Sequence, residues 1–150
     1  MTWNGKASIA FSKICVVLFA AVAALLVITA PWITHWFVGF SRANVQQEQS
    51  LFMATIYTGA VFIFPILWNL WHLLVQIGKE NVFVQENVRR LRVISWCCFG
   101  VAVVCLASTA YYLPYLFVAA IAAFMALIVR VVKNIMQQAV ALKDEVDYTI

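Results

Sequence analysis

The stretch that decides the fold runs from Val93 to Val129, VISWCCFGVAVVCLASTAYYLPYLFVAAIAAFMALIV, 37 residues without a Lys, Arg, Asp or Glu. A hydrocarbon core ~30 Å thick is crossed by about 20 helical residues. The stretch is too long for one crossing and close to the need for two. Its break falls at Tyr111-Tyr112-Leu113-Pro114, because the residue before a proline is biased away from helix. It therefore reads as two membrane spans, roughly 93–111 and 114–133, joined by a tight turn.

Two further charge-free stretches lie upstream, Ile14 to Ser41 and Gln49 to Gly78, and each holds one span, about 14–38 and 51–77. The expected fold is all-α: a polytopic membrane protein with four transmembrane helices in one domain, 1–150, with a polar loop at 78–92 and a polar tail at 134–150. Composition agrees. Hydrophobic residues make up 65% of the chain and charged residues 11%, against about 45–50% and about 25% in soluble proteins. Mean hydropathy is +0.94. A chain of this length cannot bury so much apolar side chain in a water-soluble core, which excludes a soluble enzyme and a disordered chain. A cleaved signal peptide is the rival reading of the first span, since Lys6 and Lys13 precede an apolar run. Pro31 after Ile28-Thr29-Ala30 disfavours cleavage there, and Lys13 disfavours a lipoprotein reading at Cys15.

Basic residues set the orientation. Lys6 and Lys13 precede the first span, Lys79, Arg89, Arg90 and Arg92 lie between the second and third, and Arg130, Lys133 and Lys143 lie at or beyond the end of the fourth. Arg42 alone lies between the first and second, so one side receives nine of the ten basic residues. The expectation is a membrane protein with both termini cytoplasmic. Trp32, Trp36, Tyr111, Tyr112 and Tyr115 then form an outer aromatic belt, and Trp68, Trp71 and Trp96 an inner one. Pro65 should kink the second span. Small residues recur at Ala119, Ala122, Ala123 and Ala126 and at Ala20 and Ala24. Such faces let helices approach closely, either within one bundle or between copies in a homo-oligomer.

The spans carry no Asp or Glu, which weighs against a proton-coupled exporter. His35 and His72 fall in opposite halves of the membrane and do not make a metal pair. Thr55, Asn69, Ser108 and Thr109 read as hydrogen-bonding groups between helices. Cys15, Cys97, Cys98 and Cys105 lack zinc spacing and read as small apolar side chains. No catalytic constellation, metal site or cofactor motif is present in the sequence, so the expected protein is not an enzyme.

The informative polar sequence is Gly78-Lys79-Glu80-Asn81-Val82-Phe83-Val84-Gln85-Glu86-Asn87-Val88-Arg89-Arg90-Leu91-Arg92. Val84, Val88 and Leu91 recur at helical spacing, which predicts a helix from about Gln85 into the third span. Glu86 and Arg90 stand four apart in the favourable order for an ion pair. The three arginines meet lipid phosphate or, in a sharper reading, an acidic partner. Beyond the fourth span, Val131, Val132, Ile135, Met136, Ala139 and Leu142 continue at helical intervals. That predicts an extension with an apolar stripe against the membrane surface or another cytoplasmic element. The chain closes on Asp144, Glu145 and Asp147, an acidic end expected to lie near Arg89, Arg90 and Arg92.

The block Phe83-Val84-Gln85-Glu86-Asn87-Val88-Arg89-Arg90-Leu91-Arg92, two following spans and the ending Leu142-Lys143-Asp144-Glu145-Val146-Asp147-Tyr148-Thr149-Ile150 resemble the bacterial membrane family called domain of unknown function 2975. The resemblance implies a small four-span protein with a Glu-Asn-x-x-Arg-Leu-Arg-like loop and an acidic tail. Val84 departs from the Thr or Ser often found there, which removes the expected helix cap. The family brings no established activity. Its genes often neighbour a small helix-turn-helix regulator, which implies a membrane partner for a transcription factor. The expected function is therefore non-catalytic binding of a protein partner, a helix-turn-helix regulator in particular. Its surface is Glu86, Asn87, Arg89, Arg90 and Arg92 with Asp144, Glu145 and Asp147. No direct nucleic-acid contact is expected. The alternative is an accessory subunit of a membrane transporter or channel complex.

Overall fold

The computed structural model describes residues 3–40 and 49–149. They form four helices: α1 (Trp3–Phe40), α2 (Gln49–Gly78), α3 (Gln85–Ser108) and α4 (Tyr115–Thr149), with no strand among the described residues. Each is long and apolar enough to cross a membrane. Arg42 and Ile150 lie outside the described residues.

Helix α1 has 38 residues and α4 has 35, which at about 1.5 Å per residue is well beyond the ~30 Å of hydrocarbon. Helix α3 starts at Gln85, where the apolar spacing places it, but ends at Ser108 rather than near Tyr111. The last turn tightens there. Thr109 N donates to both Cys105 O and Leu106 O, and Tyr111 N and Tyr112 N both turn back on Ser108 O. Pro114 stands just ahead of the first residue of α4, where its fixed φ and missing N–H cost nothing.

Helix α1 packs on α2, α2 on α3, and α3 on α4. Gly78, at the end of α2, lies beside Ile9 and Lys13 of α1, while Phe37 of α1 meets Phe52 of α2 at the opposite end, 5.7 Å between centroids. Ser95 Oγ donates to Ala126 O at 3.2 Å and fixes the antiparallel register of α3 and α4. The starts of α1 and α3, the end of α2 and the long C-terminal part of α4 therefore gather at one end, where Lys13 Nζ lies 6.0 Å from the centroid of the Trp71 ring.

The other end is aromatic. Buried Phe52 packs against Phe37, Tyr111, Tyr112 and Tyr115 with centroids 5.1 to 6.1 Å apart. Beneath these rings the Thr55 and Ser108 hydroxyls pair at 2.8 Å, and Tyr111 OH bonds Thr55 and donates to Leu51 O at 3.2 Å. These links join α2 to α3 as read from sequence. Thr109 instead donates back to Cys105 O of its own helix. The core is narrow. Helices α2 and α3 approach closely at Gly100, where the Phe62 ring of α2 occupies the space a Cβ would fill. Large side chains point outward; Trp32 is 84% exposed. So much apolar surface requires apolar surroundings, which a bilayer supplies.

Candidate functional site at the basic end

The site begins with the way α2 stops. Asn81 N donates to Gln76 O at 3.1 Å and Glu80 N to Ile77 O at 3.0 Å. This pairing is a Schellman closure whose left-handed position is normally a glycine. Glu80 takes it here, with φ of 65°. The nearby Gly78 is the last helical residue, and its φ is not positive.

Helix α3 then starts without a side-chain cap at Val84. Asn87, one turn in, supplies the tie instead. It is 0% exposed, and its Nδ2 donates to Asn81 O at 2.8 Å and Val82 O at 2.9 Å. The loop therefore folds back over the first turn of α3. Asn87, expected at the partner surface, is buried and ties the loop to the first turn of α3. Its Oδ1 is enclosed with no hydrogen-bond partner among the described residues.

Arg90 is half-buried and works between two helices. Its Nη2 pairs with Glu86 Oε1 at 2.5 Å, the ion pair read from the i, i+4 spacing. Its Nη1 donates to Asn69 Oδ1 of α2 at 3.5 Å, while Asn69 Nδ2 donates to Pro65 O at 2.8 Å. Pro65 thus sits inside α2 with its carbonyl accepting from the Asn69 side chain. Arg89 and Arg92 are exposed.

Helix α4 is eleven residues longer than α3 and projects past its start. With Ser95 opposite Ala126, Arg89 stands level with about residue 132. Asp144 lies about twelve residues beyond that level, roughly 18 Å along the axis. That register sets Asp144 past the level of the arginines along the helix axis. Among the described residues no salt bridge joins Arg89, Arg90 or Arg92 to Asp144 or Asp147, and Arg90 turns to Glu86. Asp144, Glu145 and Asp147 are all exposed. Ile135 is 62% and Leu142 61% exposed, on the face that Ala139 and Val146 continue, whereas Val140 is buried.

His72 packs edge-on against Trp68 at 4.9 Å, and the four cysteines are free. Among the described residues no three His, Cys, Asp or Glu side chains converge as a metal site would require.

Residues 7–150 match the family described as "Protein of unknown function (DUF2975)", which covers nearly the whole chain. The chain belongs to this family. No curated protein and no solved structure matches it. Membership takes in the Glu86-Asn87 start of α3 and the acidic end of α4, and extends beyond that second half to α1 and α2.

Sequence reasoning missed Glu80 and Ser95, assigned Arg92 to the partner surface with Arg89 and Arg90, and used Arg130 and Lys133 to set the orientation. The pairing of α3 with α4 brings Arg92, Arg130 and Lys133 to one groove.

Proposed function

We propose that this is a non-catalytic multi-pass protein of the bacterial inner membrane, with both termini cytoplasmic. Its loop and the extension of α4 hold a protein partner, a small helix-turn-helix regulator in particular. The observation that carries this reading is the extension itself. Helix α4, long and apolar enough to cross a bilayer, continues past α3, keeps Ile135 and Leu142 exposed, and ends in Asp144, Glu145 and Asp147. An amphipathic helix of this kind is a ligand for a groove, and its acidic tip complements the basic face that a DNA-binding protein presents. Arg89 and Arg92 supply the opposite charge on α3. The sidedness rests on the asymmetry of the basic residues. Capture at the membrane keeps the regulator from DNA, and a rearrangement of the bundle releases it.

The test is a photo-crosslinker placed at Gln138 in cells, with products identified by mass spectrometry and target transcripts measured in parallel. A DNA-binding protein is expected from the wild type. It should be lost, with a change in its transcripts, in a Leu142→Ser, Asp144→Asn, Asp147→Asn variant of equal abundance. Crosslinks to membrane subunits that persist in that variant, with unchanged transcripts, refute the tether and favour the accessory-subunit reading. That second reading has its own support, an apolar groove of about 590 Å³ between α1 and α2 bordered by Val16, Ala20, Phe64 and Trp68.

A further inference from the structure

The groove between α3 and α4 has a chemistry that the partner-binding reading does not use. It encloses about 670 Å³ and has a cationic mouth and an apolar floor. Arg92 comes from α3, and Arg130 and Lys133 from α4. Among the described residues none of these three cations is in a salt bridge, the Glu86 carboxylate being taken by Arg90. Deeper in the groove the lining changes to Trp96, Phe99 and Leu127, all exposed, over the small side chains of Ala123 and Ala126. The Ser95 to Ala126 hydrogen bond locks the two walls in register.

The dimensions fit a particular kind of occupant. From Arg92 to Phe99 the wall descends about 10 Å, and from Lys133 to Ala123 about 15 Å, at about 1.5 Å per residue. Charge at one end and hydrocarbon at the other, over that depth, match a phospholipid phosphate followed by glycerol and the upper acyl chain. The two guanidinium groups offer forked donors suited to phosphate oxygens, and the ammonium adds a point charge. Basic pockets between transmembrane helices are a known setting for anionic headgroups. Lys6, Lys79 and Lys143 are basic too, but they do not line this groove. We propose that the α3–α4 groove is a binding site for one anionic phospholipid, its phosphate on Arg92, Arg130 and Lys133 and one acyl chain over Ala123 between Phe99 and Leu127. The cations there do more than orient the chain in the membrane. They hold a lipid that bridges α3 to the helix carrying the acidic extension.

The experiment is native mass spectrometry of the full chain in detergent, titrated separately with phosphatidylglycerol, phosphatidylcholine and water-soluble glycerophosphoglycerol. The wild type is expected to bind phosphatidylglycerol about tenfold more tightly than phosphatidylcholine, and the soluble headgroup not measurably. Arg92→Gln, Arg130→Gln, Lys133→Gln together should abolish the preference. Lys6→Gln, Lys79→Gln, Lys143→Gln, which removes the same charge elsewhere, should leave it within about twofold. Ala123→Phe fills the floor with every charge intact and should weaken phosphatidylglycerol about tenfold. Equal losses from the two triple variants would reduce the effect to general surface charge and overturn the site. An unaffected Ala123→Phe, or tight binding of the soluble headgroup alone, would overturn the lipid assignment. Thermal unfolding of each variant, matched to wild type, separates lost binding from lost folding.

Discussion

A methyl group added at Gly100 meets two effects of opposite sign, and the structure says which wins. A Cβ built there falls 2.6 Å from Cε1, 2.8 Å from Cδ1 and 3.0 Å from Cζ of Phe62. Carbon atoms rest at about 3.5–4.0 Å, so the ring or the helix must retreat by roughly an ångström. Overpacking of this size costs about 1–3 kcal/mol. Replacing a mid-helix glycine by alanine returns about 0.5–1 kcal/mol. Gly100→Ala is therefore expected to destabilise the bundle, by up to about 2.5 kcal/mol. Thermal unfolding in detergent, followed by a thiol-reactive dye that reports exposure of the four free cysteines, reads the change. The decisive step is the same substitution in a Phe62→Ala background. With the ring gone, only the propensity gain is left, and Gly100→Ala should become stabilising by up to about 1 kcal/mol. This reversal of sign is a coupling between two residues in contact. A Gly100→Ala variant that is stabilising in both backgrounds would refute the close approach of α2 and α3 at this point.

Two more substitutions probe the basic end. Glu80→Gly relieves a left-handed backbone that costs a non-glycine residue about 1–2 kcal/mol, so it should raise the unfolding midpoint in the same assay, whereas Glu80→Val should lower it. Asn87→Ala removes both loop ties and leaves Asn81 O and Val82 O short of a donor, at a cost of about 1–3 kcal/mol. Hydrogen exchange and limited proteolysis at residues 79–84 should accelerate, with α1 and the aromatic end unchanged.

What could be read from sequence was whatever depends on one helix at a time. Charge-free length places four helices, Pro114 marks the turn, and the i, i+4 spacing of Glu86 and Arg90 foretells their ion pair. Hidden features depend on how one segment meets another. Asn87 looks like a surface amide in a run of polar residues, and it is buried because the loop folds over it. Glu80 breaks the usual preference for glycine at its position, so no residue-type rule points to it. Arg92 and Lys133 are forty-one positions apart, and only the register set by Ser95 and Ala126 shows that they share a groove. The same register sets Asp144 beyond the level of Arg89, an offset that opposite charges alone do not reveal.

That length also makes α4 a lever. Its 35 residues extend roughly 50 Å at about 1.5 Å each, and its near end is seated among Phe52, Tyr111 and Tyr112 through Tyr115. A rotation of about 10° about that aromatic seat sweeps the far tip through about 9 Å, the breadth of a helix. Helices longer than the hydrocarbon layer answer a change in its thickness by tilting. Thinning of the surrounding bilayer by a few ångströms would thus be magnified into a displacement of Asp144 and Asp147 large enough to engage or withdraw a whole contact surface.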